Sequence, residues 1–313
     1  FYLMLALRSL LRETGYFEQH QLEPLNMAQF LDLVALGTVA DLVPLDRLNR
    51  ILVSQGLSRI RSGRACLGIN AIIRAAECDR ATIVSSDLAY FIAPRLNAAG
   101  RLESMELGVE CLLATDEAMA FEYARQLDEL NKRRRQLETE MVEQAKYHLL
   151  DFDSNGLSKP GAVALFDESW HVGVIGILAA RIKELTQCPT VIFAAGKHGE
   201  LKGSARSIPG LNIRDVFEKV DNDYPDMICR FGGHSQAAGI TIAKENLEAF
   251  HQALVSTIRT EFKDLDQVVV NSDGELGIEE LSLETANLIK YAAPWGQGFP
   301  EPQFDHQFKV IST

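Results

Sequence analysis

DEAMAFEYARQLDELNKRRRQLETEMVEQAKYHLL, residues Asp116 to Leu150, divides the chain into two kinds of sequence. Phe121, Ala124, Leu127, Leu130, Leu137, Met141, Ala145 and Leu149 recur at helical spacing with charges between them. At about 1.5 Å per residue, the stretch predicts one helix on the order of 50 Å long. A helix of that length with a polar face often bridges two domains. The alternative is a coiled-coil dimer arm, against which the thin apolar seam weighs. Lys132-Arg133-Arg134-Arg135 reads as a solvated face or as a contact to nucleic-acid backbone.

Ahead of this helix, residues 1 to 115 read as mostly helical, with helices over Leu31–Ala40, Asn49–Ile60 and Leu67–Ala76. Ser86 and Asp87 are capping types before Leu88–Ile92, and Pro94 is expected to bend or end that helix. Behind it, Asp151–Pro160 has the Ser, Asn, Gly and Pro of a linker. Strands and helices then alternate. Strands are predicted at Gly161–Phe166, Pro189–Ala194, Leu201–Ile208 and Gly239–Ala243, and helices at Val174–Leu185, Ile213–Val220 and Glu245–Phe262. This is an α/β domain. Gln267–Glu275 is expected to open a third piece as a strand, followed by a helix over Ser282–Ala292. The Pro/Gly-dense Pro294-Trp295-Gly296-Gln297-Gly298-Phe299-Pro300 then reads as a turn or an inter-domain seam.

The 313 residues suggest about two domains. No apolar run approaches the roughly 18–20 residues of a membrane span. The net charge of −12 argues against a protein coated in basic surface, although not against a local basic channel. The five cysteines contain no C-x-x-C pair and read as free thiols of a reducing cytoplasm. Phe1 to Leu11 reads as the middle of a packed helix and Phe304 to Thr313 as strand pairs cut short, so the chain is expected to be a fragment.

Five constellations could carry chemistry. In Arg230-Phe231-Gly232-Gly233-His234-Ser235-Gln236-Ala237-Ala238-Gly239, two glycines and one titratable group form a turn suited to a phosphate or phosphodiester, or merely a tight turn with a packed histidine. Asp41 closes the apolar Leu36-Gly37-Thr38-Val39-Ala40. In a nonpolar neighbourhood its carboxylate needs a partner or a hard cation such as Mg²⁺ or Mn²⁺; the plainer reading is an exposed helix end. Arg95, Asn97 and Arg101 lie among small residues. Their guanidiniums suit phosphate, or pair with acids such as Glu103 or Glu106. Trp170 and His171 precede a glycine-containing helix start that could attract an anion, with Trp170 stacking a base or filling core. Ser204 and Arg206 share one face of a strand, a hydroxyl beside a guanidinium.

Taken in order, Gly37-Thr38-Val39-Ala40-Asp41-Leu42-Val43-Pro44-Leu45, Ala93-Pro94-Arg95-Leu96-Asn97-Ala98-Ala99-Gly100-Arg101, Trp170-His171-x-Gly173-Val174-x-Gly176-Ile177, Gly203-Ser204-Ala205-Arg206-Ser207, Phe231-Gly232-Gly233-His234 and Ala293-Pro294-Trp295-Gly296 closely resemble the RecJ family of bacterial single-stranded-DNA exonucleases, within the DHH phosphoesterase superfamily. The resemblance implies an α/β protein in four parts. These are the mostly helical C-terminal part of a DHH domain (1–115), a long connecting helix (116–150), an α/β DHHA1 domain (151–265) and the start of an oligonucleotide-binding barrel (266–313). It implies Asp41 as the metal ligand of the fourth DHH motif and Ser204 with Arg206 as the grip on a terminal 5′ phosphate. Arg95, Asn97 and Arg101 would line the cleft. His234, beside Gly232 and Gly233, would touch the scissile phosphate, with His171 a weaker candidate.

The implied reaction is 5′→3′ hydrolysis of single-stranded DNA with two Mn²⁺ or Mg²⁺ ions, in repair and recombination. The implied partners are single-stranded DNA, a single-strand-binding protein and a helicase, with the chain itself a monomer and no membrane involved. The Asp-His-His signature of the superfamily is absent, the seven histidines are scattered, and Ser235-Gln236 departs from the Ala-Met common there. Asp41 would be the only ligand of its set in this chain, so the chain alone is expected to retain neither ions nor nuclease activity. A DHH phosphodiesterase for nanoRNA or cyclic dinucleotides, and a non-catalytic nucleic-acid-binding module, are the competing readings.

Overall fold

The computed structural model describes residues 1–153, 161–261, 271–307 and 309–310. It divides into two compact units, residues 1–131 with 270–313, and residues 132–269.

The first unit is helical: α1 Tyr2–Glu13, α2 Tyr16–Gln19, α3 Leu31–Ala40, α4 Arg47–Arg61, α5 Leu67–Ala75, the single turn α6 Ser85–Asp87, α7 Ala93–Leu102, α8 Glu106–Leu113 and the first part of α9 Glu117–Asp153. Asp46 starts α4 by accepting the Asn49 N–H at 2.8 Å, a cap worth about 1 kcal/mol. The pair α3–α4 packs so closely that a Cβ on Gly56 would lie 2.2 Å from the Leu31 carbonyl oxygen. The core beneath is made of Leu36, Val53, Ile60, Ile72 and Leu88. Pro94 does not end its helix. A π-helical turn over Leu88–Ile92 runs into α7, where proline occupies the first turn and its missing N–H is tolerated.

The 37-residue α9 confirms the predicted long helix. Ala120, Ala124, Leu127 and Leu130 belong to the first unit's core, while Met141 and Ala145 are buried in the second unit. The apolar seam is thus buried against this chain's own residues rather than left for a coiled-coil partner. Arg134 pairs with Glu138 at 2.6 Å, as a structural cation would. The helix extends three residues into the expected linker, and residues 154–160 lie outside the described residues.

The second unit is a five-stranded sheet in the order β1-β2-β3-β5-β4, with β1 Val163–Phe166, β2 Thr190–Ala195, β3 Glu200–Arg206, β4 Arg230–Gly233 and β5 Ala237–Ala243. β1 and β2 are parallel, joined by the crossover helix α10 Ile175–Thr186, and the other pairs are antiparallel. On one face, α11 Ile213–Asp223 and α12 Leu247–Glu261 pack Val216, Phe217, Phe250 and Leu254 onto Phe193, Ala205, Ile240 and Ile242. On the other face, α10 packs against β2 and β3.

The last segment differs from expectation. Residues 267–270 lie outside the described residues, and Asn271–Glu275 is irregular where a strand was expected. α13 Leu283–Ala292 forms as predicted, with Ser282 Oγ accepting the Thr285 N–H at 3.2 Å. The described residues between 304 and 310 form no strand, although Asp305 N–H donates to the Gly274 carbonyl at 3.1 Å.

Candidate nucleic-acid interface

Alternation along β3 sends Leu201, Gly203 and Ala205 to the α11–α12 face and Lys202, Ser204 and Arg206 to the other. Register carries this pattern across the sheet. Lys202 is level with Thr241 and Arg230, Ser204 with Gly239 and Gly232, and Arg206 with Ala237. The β3-β5-β4 end of that face therefore carries three cationic side chains around a floor of small residues. Gly232 and Gly239 are exposed, and a Cβ on Gly232 would meet nothing within 4 Å. Arg230 Nε donates to Thr241 Oγ1 at 3.2 Å and shields that threonine.

Arg206 is oriented locally. Its Nη1 donates to Ser204 Oγ at 3.2 Å and to the Ala205 carbonyl at 2.8 Å. The first turn of α10 lies against the pair: a Cβ on Gly176 would stand 3.1 Å from Ser204 Oγ and 3.2 Å from Arg206 Nη2. Hydroxyl, guanidinium and helix N-terminus thus meet at one spot, each favouring an anion. Half-buried His171 precedes this turn, and its Nδ1 accepts the Gly173 N–H at 3.1 Å. The neutral ring consequently carries its proton on Nε2.

The two glycines of the Gly-Gly-His motif close strand β4 rather than forming the turn; the connection is His234–Gln236. Gly233 has φ +143°, and a Cβ there would lie 2.5 Å from Ala238 Cα, so glycine is required. The connection is pinned from behind: His234 N–H donates to Ala237 O at 2.8 Å, Ser207 N–H to Gln236 O at 3.0 Å and Ile213 N–H to Ser235 O at 3.0 Å. His234 is exposed beside this fixed backbone.

At three positions the structure decides between the readings that the sequence left open. Arg95 is not presented to a phosphate. It is 7% exposed, and its Nη2 lies 2.8 Å from Asp128 Oδ1, with Nη1 donating to the Phe91 carbonyl at 2.6 Å. A buried guanidinium needs a carboxylate, and α9 supplies it instead of Glu103 or Glu106. Asn97 and Arg101 are exposed one helical turn apart on α7. Trp170 stacks no base: it is 3% exposed, and its Nε1 donates to Gln144 Oε1 at 2.9 Å. Asp41 is not in a nonpolar neighbourhood. It is the exposed C-cap of α3 and donates its N–H to Gly37 O at 3.1 Å.

Lys202, Arg230 and Gly239 join Ser204 and Arg206; Arg230 and Gly239 bound the Gly-Gly-His stretch, but their place beside Ser204 and Arg206 was not anticipated. Lys202 continues the same period of two along β3 and could have been read. Arg230 and Gly239 required the strand register.

Residues 158–260 match the DHHA1 domain family, and residues 272–313 the RecJ OB domain family. The chain is 47% identical to the single-stranded-DNA-specific exonuclease RecJ of Dickeya dadantii, across 99% of this chain and 54% of that protein. It is 45% identical to the RecJ of Escherichia coli K12 across the same shares, 99% and 54%. The crystal structure of RecJ in complex with Mg²⁺ from Thermus thermophilus matches it with a TM-score of 0.75 at 30% identity, over 92% of this chain and 43% of that one. The chain belongs to the RecJ family. It spans about half the length, 54%, of the curated relatives it matches. The open basic face of the sheet lies wholly within the DHHA1 match, since its residues run from Lys202 to Thr241. RecJ of Thermus thermophilus has been solved with Mg²⁺ and with Mn²⁺. In this RecJ-family chain, no three His, Cys, Asp or Glu side chains gather to hold a metal among the described residues. Asp41 is a single carboxylate, which does not by itself fit an ion pair that needs several oxygen ligands.

Proposed function

We propose that this chain supplies the DNA-holding part of a 5′→3′ single-stranded-DNA exonuclease, and that the open face of the DHHA1 sheet grips the strand by its phosphates. The observation that carries the reading is the arrangement of Lys202, Ser204, Arg206 and Arg230 around Gly232 and Gly239. A glycine floor lets a sugar-phosphate backbone approach the sheet, while fixed cations neutralise it. Ser204, Arg206 and the start of α10 make the strongest anion site, and we assign them the terminal 5′ phosphate. His234 and His171 can donate to phosphate oxygens nearby. Asn97 and Arg101 are further DNA contacts in the first unit. Bound divalent ions, Mg²⁺ or Mn²⁺, would supply the activated water, with Asp41 contributing one ligand. The part played by this chain's own residues is to bind and orient the DNA. Roles in DNA repair and recombination, a monomeric cytoplasmic state, and partnership with a single-strand-binding protein and a helicase rest on family likeness alone.

The test is equilibrium binding of 5′-phosphorylated and 5′-hydroxyl single strands to the chain at several salt concentrations. Preference for the phosphorylated end, lost in Arg206→Ala, is the expected result. Equal affinity for both ends in the native chain would sink the assignment. Among the described residues no helix is long and apolar enough to cross a membrane.

A further inference from the structure

Gly176 stands in the first turn of α10, although glycine is a poor helix former. Packing on the sheet does not require it. Ile175, Leu178, Ala179 and Ile182 are the buried residues of the helix, while Gly176 is half-buried. Glycines that let helices approach in the first unit are of another kind. A Cβ on Gly56 or Gly68 would strike a carbonyl oxygen, at 2.2 or 2.1 Å. At Gly176 the nearest atoms to such a Cβ are two polar side-chain ends, Ser204 Oγ at 3.1 Å and Arg206 Nη2 at 3.2 Å. The bare Cα therefore makes room for those two groups rather than for another backbone.

The main chain at the same residue has an unused donor. The His171 carbonyl accepts Val174 N–H at 2.9 Å and Ile175 N–H at 3.2 Å, and the Val174 carbonyl accepts Ile177 N–H at 2.9 Å and Leu178 N–H at 3.1 Å. Gly176 N–H has no acceptor among the described residues. An amide left unpaired at a helix start bonds to water or to a ligand. Beside a guanidinium and a hydroxyl, it favours an oxyanion. Gly176 N–H, Ser204 Oγ–H and the Arg206 guanidinium thus surround one position. A phosphate monoester presents three unesterified oxygens to such donors, whereas a phosphodiester inside a strand presents only two. A methyl group at residue 176 would stand among donors that have to converge.

We propose that Gly176 is a specificity-determining residue of the DNA-holding face. Its amide is the third donor, which distinguishes a terminal phosphate monoester from the phosphodiesters behind it, and its missing side chain admits that phosphate. The inference rests on the assignment of Ser204 and Arg206 to the 5′ end.

The experiment uses the chain as it stands and its Gly176→Ala variant. The probes are one short oligothymidylate with a 5′ phosphate, the same strand with that phosphate methyl-esterified, and the same strand with a 5′ hydroxyl. Affinities are measured by equilibrium binding, and the Gly176 amide resonance of the native chain is followed during titration. The native chain is expected to bind the monoester about tenfold more tightly than the methyl ester, the effect of one charge-assisted hydrogen bond. The Gly176 amide proton should shift with the monoester and stay in place with the 5′ hydroxyl. Gly176→Ala should lose about tenfold of the preference for the monoester, with affinity for the 5′ hydroxyl retained. Its thermal midpoint should not fall, because alanine is the better helix former. A stationary Gly176 amide overturns the proposal and leaves Ser204 and Arg206 in their role. So does native preference in Gly176→Ala, or equal binding of monoester and methyl ester by the native chain. Equal loss of affinity for all three strands with a lowered midpoint makes Gly176 a packing residue and overturns the proposal as well. A native chain indifferent to 5′ phosphorylation refutes the end assignment itself, and the role of Gly176 falls with it.

Discussion

The two faces of the sheet at β3, β5 and β4 are built by the same strands, one residue out of step, yet they do opposite things. One face is Leu201, Gly203, Ala205, Ala238 and Ile240, packed under α11 and α12. The other is Lys202, Ser204, Arg206, Gly239 and Arg230, uncovered except where the first turn of α10 lies against Ser204 and Arg206. Each face contains glycine for a different reason. Gly203 is needed because a Cβ there would lie 2.6 Å from both Ile240 Cγ2 and Phe193 Cε1. Gly239 has its nearest such neighbour at 3.9 Å, so its smallness is not a packing requirement and leaves the floor open instead.

The comparison breaks most sharply under the same substitution on both faces. Gly203→Val overfills the core and is expected to cost about 3 kcal/mol or more, read as a large fall in thermal midpoint. Gly239→Val should leave stability within about 0.5 kcal/mol while weakening single-strand binding. Similar destabilisation by both would show that the open face is packed after all. Next in size is Arg206→Ala. Single-strand affinity should fall about tenfold, and the slope of log affinity against log salt should shrink by about 0.7 for the one phosphate left without its cation. Lys202→Ala, at the far end of the same face, should reduce the salt slope similarly with a smaller loss of affinity and no preference change for the 5′ end.

How much of this was legible in the sequence follows the range of each interaction. The period of the 116–150 stretch predicted α9, and Ser204-x-Arg206 predicted one face of β3, because helix and strand periodicities are local. The same alternation extended backwards reaches Lys202. Arg230 and Gly239 become neighbours of β3 only through hairpin register, which no single strand encodes. Arg95 had an open choice of acids nearby in sequence, and it took Asp128, 33 residues away, because burial selects the partner. The Ser85–Trp295 bond spans 210 residues. Segment 294–300 therefore read as a turn or an inter-domain seam from its composition, while its backbone bond to Leu45 was not legible.

The smallest expected effect concerns what covers the other half of the open face's own side, where α10 packs on β2 and β3. The loop entering α10 is held by Asp167. Its Oδ1 accepts Ser169 N–H at 2.8 Å and Ser169 Oγ–H at 2.6 Å, and its Oδ2 lies 3.3 Å from His148 Nε2. The Ser169 hydroxyl and N–H, and then His148, hold its carboxyl below the usual carboxylate range. A carboxylate whose folded pKa is depressed adds stability that is fully present above its unfolded value of about 3.9. That stability is lost as pH falls from there through the depressed value. Ser169→Ala removes the strongest of these hydrogen bonds, so the variant should be slightly less stable at neutral pH and should converge with the native chain as pH is lowered below about 4. Thermal midpoints at pH 7, 5 and 3.5 check this. A gap that widens on acidification would reverse the sign and show that Asp167 is not the anchor of the covered half.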